Sequence, residues 1–210
     1  MDQKDYWDQA ADAKEFSTEI KMDFFRRYAP LEASVLEVGC GYGRVLAGLW
    51  AAGYKNLIGV DFSGRMIQRG RQNHRQLDLR IMTKQKLDFA DQTFDALLLI
   101  AVLTCIPDDE DQANLLRECR RVLKPGGLLV VNDFLLNNDQ RNLERYQAYP
   151  EPAPYGVFAL PDGARLRHHD PAWVAESLAA FQQLHYEEVS HRTMNGHQSR
   201  GYHYFGRRRA

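Results

Sequence analysis

From residue 34 to residue 133, short apolar runs alternate with stretches whose apolar positions recur at helical spacing, the pattern of strands and helices wound into a parallel sheet. Val35 to Val38 reads as a short buried strand, and Val45, Leu46, Leu49 and Trp50 mark a helical face that Gly53 stops. Leu57 to Val60 is a second strand, Ser63 caps a helix over 64–72, and Leu79 to Met82 is a third, weaker strand. Phe94 to Ile100 is the fourth. Asp109 followed by Gln112 has the spacing of a capping box, before a helix whose buried face is Leu115, Leu116, Cys119, Val122 and Leu123. The fifth strand, Gly127 to Asn132, is as apolar as a strand covered on both faces should be.

The rhythm breaks over 134–169, where Pro150, Pro152 and Pro154 lie among Tyr146, Tyr149 and Tyr155, and this segment is expected to be an inserted lid. Asp170 and Pro171 then start a helix with Trp173, Val174, Leu178 and Phe181 inward. Two closing strands, Leu184 to Met194 and Gln198 to Gly206, flank Asn195-Gly196, a strong hairpin signature. Ahead of the sheet, Tyr6, Trp7, Phe16, Ile20, Phe24 and Phe25 predict an amphipathic helical cap over 1–30. The expected organisation is one domain, with this cap, a core over 31–133, the lid, and a final helix and hairpin over 170–210.

At 210 residues with 44% hydrophobic and 26% charged positions, the chain can build one substantial core. Lys and Arg number 27 against 28 for Asp and Glu, a net charge of -1 that offers no bulk attraction to a phosphate backbone. Nucleic-acid binding is therefore not expected. The acidic start carries no secretory or transit signal, and the apolar run 96–106 falls short of the ~20 residues that span a bilayer. A cytoplasmic location without membrane association is expected. Cys40, Cys105 and Cys119 are odd in number and lack metal-ligand spacing, so neither a disulfide framework nor structural zinc is expected.

Gly39, Gly41 and Gly43 alternate where the first strand turns into a helix, a turn that requires glycine and close backbone approach. Asp61, twenty residues beyond Gly41, ends the second strand where a carboxylate can accept both hydroxyls of a ribose. The loop reads GxGxG where dinucleotide sites use GxGxxG, and Glu37 precedes it in an otherwise apolar strand. A carboxylate there would repel a pyrophosphate and attract a cationic ligand such as S-adenosylmethionine, which carries a sulfonium and an ammonium group.

With these features the chain resembles the class I S-adenosylmethionine-dependent methyltransferases of small-molecule type, through four ordered blocks: 35–44, 59–63, 87–106 and 121–131. The resemblance implies an α/β, Rossmann-like doubly wound sheet of seven strands with the last antiparallel and the lid following the fifth. It also implies S-adenosyl-L-methionine as cofactor and S-adenosyl-L-homocysteine as product. Carried over by position, Gly39, Cys40, Gly41 and Gly43 would line the methionine and ribose, Glu37 would hold the amino end and Asp61 the ribose. Phe62 and Met66 would flank adenine, Thr83 and Lys84 would bond its edge, and Ile100 would face the methyl-donor end. The fourth strand runs into Ile100-Ala101-Val102-Leu103 and lacks the Asn/Asp-Pro-Pro-aromatic block of base methyltransferases.

Six of the seven histidines lie between residues 168 and 203, which concentrates groups that titrate near neutrality in the C-terminal third. The Asn195-Gly196 turn should reach the rim where ligands bind such sheets, placing His197 nearby. His169 and His197 are the candidate catalytic bases, and Tyr6, Tyr155, His168 and His191 are candidate acceptor contacts. His203 is expected to lie about 20 Å back along its strand. No metal site is expected. The expectation is methyl transfer by in-line displacement to a small soluble acceptor, by a monomer or homodimer. The rivals are a non-catalytic cofactor-binding subunit and a NAD-dependent oxidoreductase.

Overall fold

A computed structural model describes residues 3–83, 86–150 and 152–209. Helices α1 (Gln3–Ala10) and α2 (Met22–Tyr28) precede β1 (Val35–Val38), α3 (Arg44–Ala51), β2 (Leu57–Asp61), α4 (Gly64–Asn73), β3 (Asp78–Ile81) and β4 (Phe94–Ile100). A 3-10 turn at Leu103–Cys105 leads to α5 (Asp109–Val122) and β5 (Leu123–Phe134). Then come α6 (Gln140–Ala148), the small pair β6 (Val157–Ala159) and β7 (Arg165–Arg167), α7 (Pro171–Ser177), β8 (Phe181–Arg192) and β9 (Gln198–Arg208).

Seven strands form one sheet in the order β3-β2-β1-β4-β5-β9-β8. The first five are parallel, and β9 runs antiparallel to both β5 and β8. The Rossmann-like α/β sheet is thus as expected, with the last strand inserted antiparallel. Its direction of winding reverses between β1 and β4, and ligands bind such sheets at the carboxyl ends of the strands beside that reversal. The sheet is covered on both faces because its strands are apolar on both. In β4, Leu97 and Leu99 pack with Leu115, Cys119 and Val122 of α5, while Ala96, Leu98 and Ile100 pack on the other side with Leu46 and Leu49 of α3.

Two local readings change. The cap of α5 is Asp108, whose carboxylate accepts from the amides of Glu110 (2.8 Å) and Asp111 (3.0 Å). Gln112 is buried instead, and its amide donates to the carbonyls of Leu103 (2.9 Å) and Ile106 (2.5 Å), so it holds the 3-10 turn and takes no part in a capping box. Phe181, expected inside the helix, begins β8, because α7 ends at Ser177.

The segment after β5 is ordered by contacts at its two ends. His169 donates its amide to the Phe134 carbonyl (3.1 Å), and Leu136 donates to the His169 carbonyl (2.9 Å). Between these stitches lie α6, capped by Asp139, and the β6-β7 pair. The N-terminal helix is held just as specifically. Asp8 accepts from Ser63 Oγ (2.6 Å) and the Arg65 amide (3.1 Å), while Lys14 reaches Asp162 (2.9 Å) and Asn195 (3.2 Å). The cap therefore ties the start of α4 to the β6-β7 connection and the terminal hairpin. Among the described residues no helix is long and apolar enough to cross a membrane.

Candidate active site

Under this cap, at the carboxyl ends of β1, β2 and β4, lies a cavity of about 1280 Å³ including its open mouth. The strand ends supply Glu37, Gly39, Asp61 and Ile100 to its lining. The N-terminal segment supplies Trp7 and Phe16, α6 supplies Arg141 and Arg145, and the terminal hairpin supplies His197 and Ser199.

The glycine loop has the backbone its composition predicts. Gly39, Gly41 and Gly43 all have positive φ (68°, 55° and 79°), the left-handed region that costs other residues most. Gly39 faces the cavity. Gly41 and Gly43 are outside its lining, and small size serves packing at all three, since a side chain at Gly39 would meet Val102 at 2.7 Å. A side chain at Gly41 would drive into the Phe16 ring, and one at Gly43 would meet Leu79 at 3.1 Å. The Gly41 amide donates to Asp61 Oδ2 (2.8 Å), and the Ser63 amide donates to Asp61 Oδ1 (2.8 Å). These bonds fix the carboxylate and leave each oxygen further lone-pair capacity for hydroxyl donors. Burial pushes Asp61 up to about 6 against the pull of those amides.

Glu37 is buried on the same wall, and its Oε2 has no hydrogen-bond partner among the described residues. Burial pushes it up to about 8, opposed by the nearby Arg44 charge. An unpartnered buried carboxylate is costly, and a cationic donor entering the cavity would relieve that cost. Cys40, Phe62, Met66 and Ile100 also line the cavity. Burial holds the thiols of Cys40 and Cys105 protonated, well above their usual range. Thr83 is exposed and outside the lining, and Lys84 lies outside the described residues.

The candidate histidines separate. His168 lines the cavity, and its Nδ1 faces two donors, Tyr146 Oη at 2.7 Å and Asn137 Nδ2 at 3.3 Å. With Nδ1 accepting, the ring proton belongs on Nε2, and burial lowers the group to about 3, so the ring is neutral. His197 stands exposed at the cavity edge. His169 is outside the lining. It stacks on Trp173 (4.3 Å), its Nε2 is 2.9 Å from Gln112 Nε2, and its Nδ1 is 3.4 Å from the Phe134 carbonyl. Its surroundings are those of a core residue, placed there because consecutive residues of an extended segment face opposite ways.

His191 is also outside the lining, buried against Phe134 (5.5 Å) and His203 (5.3 Å). His203 is likewise buried, lowered to about 4 by that burial. Tyr6 turns its hydroxyl to Asp162 (3.2 Å), and the neighbouring Trp7 faces the cavity in its place. Tyr155 is 59% exposed, edge-on to Tyr146. The sequence reading missed Phe16, Arg44, Arg141 and Arg145. The four-residue spacing of the last two was their one available signal.

Residues 36–131 match the methyltransferase domain family. A ubiquinone biosynthesis O-methyltransferase of Xylella fastidiosa is 31% identical over 180 residues, covering 81% of this chain and 69% of that protein. The structure of a S-adenosylmethionine-dependent methyltransferase from Methanosarcina mazei superposes with a TM-score of 0.85 at 21% identity, over 91% of this chain and 99% of that one. A 1,6-didemethyltoxoflavin-N1-methyltransferase from Burkholderia thailandensis, solved with S-adenosylhomocysteine bound, superposes at 0.65 with 17% identity, over 90% and 76%. The chain spans 59% and 60% of the lengths of two other curated relatives. The residues present fit the family's methyl donor: Glu37 has an unpartnered buried oxygen that could accept from an ammonium group, Asp61 is fixed by two amides with lone pairs left that could accept from ribose hydroxyls, and Gly39 lines the cavity with them. Fold, loop chemistry and sequence kinship together place this chain in the class I S-adenosylmethionine-dependent methyltransferase family.

Proposed function

We propose that the protein transfers a methyl group from S-adenosylmethionine to a small soluble acceptor in the cytoplasm. The observation that carries this reading is one continuous cavity with Glu37 and Asp61 in its lining together with Arg141, His168 and His197. When bound, S-adenosylmethionine supplies an electrophilic methyl group on a sulfonium. The chain's part is to bind, align and dry the reactants, and alignment alone can contribute several kcal/mol, roughly 7 to 11 at best.

Glu37 takes the ammonium end and Asp61 the ribose, which sets the direction of the donor along the cavity. Phe62 and Met66 cover the adenine. Ala101, held at φ 56° with its amide donating to the Asn132 carbonyl (2.7 Å), keeps the backbone beside the methyl-donor end in an uncommon conformation. The cap and the segment 134–169 act as cover, with Trp7, Phe16, Phe134 and Phe158 excluding water. His168, carrying its proton on Nε2, positions the acceptor as a donor. His197 serves as base where the acceptor must lose a proton.

Calorimetric titration with S-adenosylmethionine, S-adenosylhomocysteine and NAD, using Asp61→Ala as control, tests the reading. Binding of both adenosyl ligands, lost in the variant, supports it; binding of NAD alone overturns it. Methyl transfer to an acceptor panel then separates an enzyme from a non-catalytic binding subunit.

A further inference from the structure

Helix α6 brings two arginines to the cavity, Arg141 and Arg145, one turn apart on the same face. Among the described residues Arg145 has no ion pair, and Arg141 has only a long one, to the exposed Asp139. Arg141 Nη1 is buried without a hydrogen-bond partner among the described residues, and its Nε stands 3.7 Å from Asp139. Arg145 bonds the neutral Asn142 Oδ1 at 3.3 Å and lies over the Phe158 ring at 5.3 Å. Three arginines outside the cavity are matched with carboxylates: Arg167 with Asp109 (2.7 Å), Arg121 with Asp91 (2.7 Å) and Glu118 (2.8 Å), and Arg200 with Glu188 (2.6 Å), while Arg44, also in the lining, donates to the Thr18 carbonyl.

The charge distribution within the cavity sharpens the contrast. Among the described residues the two carboxylates that line it, Glu37 and Asp61, belong to β1 and β2, and α6 contributes none. Two like charges one helical turn apart repel each other, and burial together with the Arg141 charge holds Arg145 below the usual guanidinium range. An oxyanion between them would supply what the protein withholds, since guanidinium groups are suited to fork-like pairing with carboxylate or phosphate. Phe158 lies under Arg145, and Phe134, Leu160 and Leu166 add apolar surface to the same cavity.

We infer that the acceptor is an amphiphilic anion, an apolar or aromatic body whose carboxylate or phosphate is held between Arg141 and Arg145. This rests on the methyltransferase reading above and narrows its substrate class. Arg141 and Arg145 then act as specificity residues, orienting the acceptor from the end that does not react.

Benzoate, phenyl phosphate and neutral benzamide, each titrated into the full chain saturated with S-adenosylhomocysteine, test this. The expected result is that at least one anion binds about tenfold or more tightly than benzamide. Arg141→Gln and Arg145→Gln should each weaken that anion about tenfold, with S-adenosylhomocysteine affinity and melting temperature retained. The tighter of the two anions identifies the oxyanion. Should either Gln variant fail to fold, Arg141→Lys and Arg145→Lys and the wild-type comparison of anion with amide still decide. Equal binding of anion and amide, no binding of either anion, or folded Gln variants that bind like the wild type would overturn the inference while adenosyl binding stands. Failure of the wild type to bind S-adenosylhomocysteine would instead overturn the methyltransferase reading itself.

Discussion

The Tyr146 hydroxyl lies 2.7 Å from His168 Nδ1, and with the Asn137 amide on the same nitrogen it favours the tautomer that carries the proton on Nε2. Tyr146→Phe removes the shorter of two donors and leaves Asn137 at 3.3 Å. The expected cost is about 1 kcal/mol of stability by urea denaturation. Nitrogen NMR of His168 should show Nδ1 unprotonated in the wild type and a mixed tautomer in the variant. Acceptor KM should rise several-fold with cofactor affinity unchanged. A variant that kept a single tautomer would show that Tyr146 does not set it.

Glu37 couples cofactor binding to pH. Burial pushes it up to about 8 in the free protein, and an ammonium partner favours the carboxylate, so the bound form holds fewer protons. Below pH 8 binding should release up to one proton, affinity should rise with pH, and both effects should level off above 8. Titration calorimetry in buffers of different ionisation enthalpy measures the proton count. Release unchanged in Glu37→Gln would assign it to another group.

Asp61 organises two backbone amides before it meets a ligand. Asp61→Asn keeps one oxygen acceptor and turns an NH2 toward the Gly41 or Ser63 amide, which should cost about 1–3 kcal/mol of stability. Cofactor affinity should fall at least about tenfold. In the wild type, with Asp61 near 6, protonation below pH 6 removes an acceptor oxygen from the ribose, so binding should weaken as pH drops through that value. An affinity flat from pH 7 to 5 would contradict this role.

Gly41→Ala places a side chain at positive φ and against the Phe16 ring. The backbone part costs about 1–2 kcal/mol, and the steric part falls on the N-terminal cap. Pairing it with Phe16→Ala in a double-mutant cycle separates the two. The double variant should recover the steric part and retain the backbone part. Additive losses would mean that the cap does not press on the loop.

His169 is packed between Trp173 and Gln112. His169→Ala should lower stability by about 2–3 kcal/mol through the packing lost against Trp173. At a temperature where the variant stays folded, kcat should remain near the wild-type value. A large fall in kcat would restore His169 to the chemistry.

By itself the chain determined the alternating core, the glycine loop and Asp61, because these rest on local geometry: strand periodicity, left-handed backbone at Gly39, Gly41 and Gly43, and a carboxylate at a strand end. It also marked Glu37, since a carboxylate inside an apolar strand is legible without knowing its neighbours. Only the tertiary structure decided between His168 and His169, adjacent residues of which one lines the cavity and the other packs in the core. The same holds for Gln112, drawn from a cap into the core, and for Trp7 facing the cavity where Tyr6 was expected. It holds as well for Arg141 and Arg145, which the fold brings to the cavity with Arg141 Nη1 buried and unpartnered among the described residues and Arg145 bonded to the neutral Asn142. Facing and pairing depend on elements distant in sequence, and local periodicity carries no record of which of two sides will be covered.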